Sequence, residues 1–75
     1  MSKMTLTACE RQAKDDNASD KATFDLVGPL GRMHCKWLDA YFGMFVEVGN
    51  DKGAFMVRDF DIPDLHVENY NPNPV

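Results

Sequence analysis

The sequence predicts a mainly β domain, a small antiparallel sheet of four to five strands, with one short N-terminal helix as the alternative that would make it α+β. Three observations predict it. Apolar and polar residues alternate over 22–28 and again over 32–38, a Gly28-Pro29-Leu30-Gly31 corner separates those runs, and the polar corner Gly49-Asn50-Asp51-Lys52-Gly53 separates two later aromatic-rich runs. A period of two marks a strand with one buried face, and glycine and proline corners reverse the chain between strands.

The N-terminal segment has two readings. Met4, Leu6 and Ala8 alternate with Thr5, Thr7 and Cys9, a strand signal, whereas Thr7-Ala8-Cys9-Glu10 fits the capping box that opens a helix. A helix beginning at Ala8 and ending near Lys14 would bury only Cys9 and Ala13, too thin a stripe for so short an element. The strand is therefore preferred, with Lys14 to Lys21 as a solvated loop.

Ala22, Phe24 and Leu26 share one face of the next strand, with Thr23 and Asp25 on the other. At the following corner Pro29 presets φ and the glycines accept positive φ, so the chain reverses. Met33, Cys35 and Trp37 then share a face, with Arg32, His34 and Lys36 opposite. After a corner at 38–40, residues 41–48 read as a strand with Phe42, Met44, Val46 and Val48 on one face and Tyr41, Phe45 and Glu47 on the other. Residues 54–60 are its expected hairpin partner across the Gly49–Gly53 corner. A short last strand is expected after Pro63, and 69–75, rich in Asn and Pro, as an extended mobile arm. The whole of 1–75 reads as one domain.

The chain has 75 residues and a formal net charge of −4. A chain of this size buries only about 60% of the surface it exposes when unfolded, which leaves little room for a deep substrate cavity and weighs against a stand-alone enzyme. No apolar run approaches the roughly 18 residues of a membrane span, and the first residues lack a signal-peptide pattern, so a soluble, cytoplasmic protein is expected. Direct nucleic-acid binding needs clustered Lys and Arg. Here the acids dominate, and unevenly: Met1–Trp37 carries 6 bases and 5 acids, Leu38–Val75 only 2 bases and 7 acids. Such asymmetry points to an interaction surface, and a basic protein partner suits it.

Cys9, His34, Cys35 and His66 match the ligand number of a structural zinc but not its spacing, since no Cys-x2-Cys pair occurs and His34 and Cys35 would point to opposite faces of a strand. A Cys9–Cys35 disulfide needs the N-terminal strand beside the second hairpin strand, and a cytosolic chain favours free thiols. Cys35 reads as a small core residue. A nucleophile pair of Cys35 with His66 has no orienting carboxylate motif, and the glycines match no phosphate-binding loop. No cofactor and no catalytic residue are expected.

The acidic series carries more. If 59–61 is extended, Asp59 and Asp61 project on the same side about 6.6 Å apart, a spacing similar to that of successive phosphates. With Asp64, Glu68, Glu47 and Asp51 they would form a surface that a Lys- and Arg-lined groove accepts in place of nucleic acid. The alternative is that these acids keep a sheet edge soluble and unpaired. Among the aromatics Trp37, Tyr41, Phe42, Phe45, Phe55 and Phe60, Tyr41 is the first choice as an exposed interface anchor.

A short lone domain without an enzymatic motif, with a β-rich core and the cluster Asp59, Asp61, Asp64, Glu68, resembles the small acidic inhibitors of phages and other mobile elements, in particular the anti-CRISPR proteins. The resemblance is one of size, charge and composition. It implies a non-enzymatic inhibitor that binds a basic nucleic-acid-binding complex, a CRISPR-Cas effector in the bacterial cytoplasm, and blocks DNA binding by imitating DNA. A different class is an interaction module or homo-oligomeric structural subunit that pairs through a sheet edge.

Overall fold

The computed structural model describes residues 4–50 and 53–74. Helix α1 spans Leu6–Asp15, followed by strands β1 (Thr23–Gly28), β2 (Gly31–Asp39) and β3 (Met44–Glu47), a 3-10 turn at Asp59–Asp61, and β4 (His66–Asn71). The strands form a four-stranded sheet in the order β3-β2-β1-β4 with antiparallel neighbours. This is the mainly β, small α+β fold expected from the sequence. Among the described residues no helix is long and apolar enough to cross a membrane.

The β1–β2 hairpin follows the alternation read from the sequence. Phe24 pairs with Cys35 and Leu26 with Met33 on one face, and Asp25 pairs with His34 on the other. Phe24, Leu26, Cys35, Trp37, Phe45 and Val67 are buried on the inner face together with Leu6, Cys9 and Ala13 of α1. Phe24, Trp37 and Phe45 form an aromatic triangle, with ring centroids 5.1, 5.5 and 5.6 Å apart, in the tilted and edge-on arrangements that aromatic quadrupoles favour. Trp37 Nε1 donates to Cys9 Sγ at 3.4 Å and ties the helix to the sheet.

The N-terminal segment is a helix, not the preferred strand. Thr5, not Thr7, is the N-cap, its Oγ1 accepting from the amide of Ala8 at 3.0 Å. Starting two residues earlier brings Leu6 into the buried stripe with Cys9 and Ala13, which spaces them at i, i+3 and i+7. Only Met4 remains strand-like, bridging Val67 on the outer edge of β4. Lys14 and Asp15 belong to the helix, and Ala18 in the expected solvated loop is buried.

The second expected hairpin reduces to one bridge. Phe45 and Phe55 exchange backbone hydrogen bonds of 3.1 and 2.7 Å, and no strand forms over 54–60. The chain leaves β3 at this point because Arg58 and Asp59 are drawn to α1 by longer-range bonds described below. Residues 40–43 form a turn, so β3 begins at Met44 and not at Tyr41: Phe45 is buried, and Phe42, outside the strand, is exposed. Asp51 and Lys52 of the intervening corner lie outside the described residues.

The last strand forms after Pro63 and continues through Asn69–Asn71, residues expected in the arm. Between the pairs Asp25–Glu68 and Thr23–Asn71, β4 has one more residue than β1. The bulge is accommodated by Asn69 at φ 54°, whose Nδ2 donates to Asp25 at 2.9 Å. Val75 lies outside the described residues.

Candidate protein-binding surface

At the end of β2, Asp39 Oδ1 accepts from the amide of Tyr41 at 2.9 Å, a local side-chain turn. The turn continues with Gly43 donating to the carbonyl of Ala40 at 3.2 Å, and it directs Tyr41 and Phe42 into solvent. Lys14 Nζ sits 5.6 Å from the Tyr41 ring centroid, within cation–π range.

Beside this turn lies the segment that would have been the hairpin strand. Gly43 has φ +71°, and a Cβ there would stand 2.7 Å from an Arg58 guanidinium nitrogen and 2.9 Å from Glu10 Oε1. Arg58 and Glu10 are themselves 3.6 Å apart, and Glu10 also lies 3.7 Å from Lys14. The turn and the Met56–Phe60 segment thus meet at Arg58. Four large apolar side chains lie within two residues of Gly43 or Arg58 along the chain, with exposures of 69% for Tyr41, 66% for Phe42, 61% for Met56 and 87% for Phe60.

Asp59 closes the other end of this segment onto α1. It accepts from the amides of Leu6 (2.6 Å) and Thr7 (3.0 Å) and from Thr7 Oγ1 (2.6 Å). Partial burial pushes its pKa up, but these hydrogen bonds outweigh burial and hold the carboxyl below its ordinary value. Asp61 accepts from the amide of Arg58 at 2.9 Å and leaves its carboxylate exposed. Because Asp59–Asp61 is a 3-10 turn, the extended spacing expected of this pair is not formed.

The other candidate residues are dispersed. Asp64 is exposed at φ 60° in the turn before β4. Glu47 is half-buried on β3 and accepts from Asn50 Nδ2 at 2.8 Å. Asp51 lies outside the described residues. Glu68 pairs with Asp25 on the face opposite the core, away from Asp59 and Asp61.

That opposite face carries a polar network not foreseen from the sequence. Arg32 bridges Asp25 (3.0 Å) and Glu68 (2.7 Å), His34 Nδ1 lies 2.8 Å from Asp25, and His66 Nε2 lies 2.7 Å from Glu68. The Asn69 amide, then His34 and Arg32, hold Asp25 below its ordinary pKa, and Arg32 followed by His66 does the same for Glu68. The alternation that grouped Arg32, His34 and Lys36 was visible. The pairing of β1 with β4 that supplies their acids was not.

The cysteines are free thiols buried in the core, and burial pushes Cys9 up to about 11 and Cys35 up to about 12. Cys35 faces the core while His66 faces the open side of the sheet, so the two form no nucleophile pair. The strand arrangement proposed for a Cys9–Cys35 disulfide is absent, since Cys9 is on α1. Among the described residues no group of three or more His, Cys, Asp or Glu side chains converges as a metal site.

No protein-family model, curated protein or solved structure matches this chain.

Proposed function

We propose that the chain acts by stoichiometric binding to a basic nucleic-acid-binding protein, as an inhibitor of the anti-CRISPR type, and that it docks through the aromatic and acidic surface around Arg58. The observation that supports this reading is the exposure of Tyr41, Phe42, Met56 and Phe60 on the two segments that meet where Gly43 contacts Arg58. Large exposed apolar groups rimmed by charge are characteristic of protein interaction sites, and tyrosine and arginine are favoured anchors within them.

Electrostatics favours a basic partner. The chain is acidic overall, and Asp61 and Asp64 present exposed carboxylates on either side of Ile62-Pro63. These groups would accelerate encounter with a Lys- and Arg-lined groove more than they would add to final affinity. Aromatic anchors would then supply contact area. The resemblance to anti-CRISPR proteins makes a CRISPR-Cas effector in the bacterial cytoplasm the partner to test first, with occlusion of its DNA-binding groove as the mechanism.

The experiment is a pull-down from bacterial lysate with wild-type bait, Tyr41→Ala/Phe60→Ala bait and Asp61→Lys/Asp64→Lys bait, at low and high salt. A partner that binds nucleic acid, is lost with both variants and weakens with salt supports the reading. A partner retained by both variants contradicts it. Asp59 is left intact because it caps α1.

A second reading has its own observation. Phe55 bridges the outer edge of β3 and Met4 that of β4, one residue on each edge. A partner strand or a second copy could pair along the remaining backbone groups. Binding of that kind would be indifferent to salt and to Asp61 and Asp64.

A further inference from the structure

We infer that the open face of the sheet carries a binding site for a small organic anion, a phosphate or carboxylate with a compact body, centred on Lys36. A cleft of about 500 Å3 lies there, lined by Thr23, His34, Lys36, Val48, Asn71 and Pro74. Its size falls within the range of roughly 300–1,000 Å3 that holds small ligands, and among the described residues no acid lines it. In a chain with 12 acids and 8 Lys plus Arg, that selection of lining groups sets this place apart.

The sheet register brings the polar groups together. Thr23 on β1 pairs with Lys36 on β2 and with Asn71 on β4, so an ammonium, a hydroxyl and an amide form one row across three strands. Each has donors to spare. Lys36 has no carboxylate partner among the described residues, and an ammonium offers three donors and no acceptor. Asn71 Oδ1 accepts from the amide of Asn73 at 3.0 Å, which leaves its NH2 group as the free end. His34, two residue pairs along on the same face, is held through Nδ1 by Asp25, so the Nε2 of its neutral ring is an acceptor for a ligand hydroxyl and the anion is left to Lys36, Thr23 and Asn71.

Among the described residues, the acids that β1 and β4 place on this face are already engaged. Asp25 is bonded to Arg32, His34 and Asn69, and Glu68 to Arg32 and His66. Their negative charge is matched locally, so it opposes an incoming anion less than two free carboxylates would. Val48 and Pro74 provide apolar walls on two sides of the donor row. A headgroup would take charge-assisted hydrogen bonds from Lys36 and neutral ones from Thr23 and Asn71, with the body of the ligand against Val48. This site is separate from the surface around Arg58.

The test is a two-dimensional amide NMR titration of the full chain with phenyl phosphate, inorganic phosphate and phenol at constant ionic strength. Saturable shifts centred on Thr23, His34, Lys36 and Asn71 are expected with phenyl phosphate, weaker ones with inorganic phosphate and none with phenol. Lys36→Ala, an exposed position, should raise the dissociation constant about tenfold or more. Asn71→Asp, which keeps the acceptor for Asn73 but adds an anion to the cleft, should abolish binding with the rest of the spectrum intact. Shifts that do not saturate, that centre elsewhere, or that persist unchanged in Lys36→Ala or Asn71→Asp overturn the proposal. Equal binding of phenol overturns the anion site, and equal binding of inorganic phosphate overturns a role for the ligand body.

Discussion

The amide of Leu6 donates to Oδ1 of Asp59 at 2.6 Å across a sequence separation of 53 residues. A helix N-terminus leaves amides unsatisfied and carries partial positive charge, so a carboxylate placed there contributes both hydrogen bonds and favourable electrostatics. Thr5 satisfies the amide of Ala8, and Asp59 satisfies those of Leu6 and Thr7. This shared capping fixes α1 to the segment that presents Met56, Arg58 and Phe60.

Asp59→Ala should therefore destabilise the fold by about 1–2 kcal/mol, the range of a lost helix cap with its charge. Asp59→Asn, which retains one acceptor without the charge, should fall between it and the wild type. Urea unfolding of the three proteins checks the order. If Asp61→Ala costs as much as Asp59→Ala, the capping role assigned to Asp59 is wrong.

Acid should unfold the chain through the same groups. Asp25, Asp59 and Glu68 all have folded-state pKa values below their ordinary ones, 3.8 for the aspartates and 4.5 for the glutamate. A depressed folded value stabilises fully above the unfolded pKa, and that stability is lost as pH falls through the folded value. Melting temperature should thus be level down to about 4.5, where the Glu68 contribution begins to fade, and fall steeply below 3.8. Asp59→Asn should show a shallower acid decline. A wild-type curve that rises on acidification contradicts these assignments.

Gly43 stands at φ +71° with Arg58 and Glu10 where a Cβ would be. Gly43→Ala should cost roughly 1–3 kcal/mol from backbone strain and displacement of that ion pair. Gly49 also has positive φ, at +81°, but nothing lies within 4 Å of a Cβ there. The larger loss at Gly43 than at Gly49, read by thermal melts of the two alanine variants, is the expected result. Equal losses would mean that the Arg58 and Glu10 contacts are immaterial.

The thiols should be inert in the folded protein. Cys9 and Cys35 are fully buried, and burial pushes their pKa values up to about 11 and about 12, so almost no thiolate forms near neutral pH. Mass spectrometry after iodoacetamide treatment should show both residues unmodified in buffer and both alkylated in denaturant. Rapid alkylation of either in buffer would contradict its place in the core.

The β1–β2 hairpin, the faces of both its strands and the strand after Pro63 were legible because their signals are local: period-two alternation and a Gly-Pro corner. The helix is not legible locally, because a cap at Thr7 leaves Leu6 out of the apolar stripe and the second cap comes from Asp59 far along the chain. The expected 54–60 strand does not form for the same reason. Its composition suits a strand, but Arg58 and Asp59 are held by α1. At the candidate surface Tyr41 is exposed as expected, while the exposure of Phe42 and Met56 is not legible because period-two alternation cannot locate the turn at 40–43 or the irregular path after Phe55. The acids are abundant in the sequence, but the strip expected of them is not formed, because their neighbours on other elements, Thr7 for Asp59 and Arg32 for Glu68, cannot be read from one strand at a time.

The proposed function is tested most directly by titrating purified CRISPR-Cas surveillance complexes, loaded with labelled target DNA, with the wild-type chain and with Tyr41→Ala/Asp61→Lys. The expected result is that wild type displaces DNA from a susceptible complex at near-equimolar ratio, less effectively as salt rises, and that the variant, equally folded, does not. Retention of DNA by every complex at large excess of wild type, or displacement as effective by the variant, would contradict it.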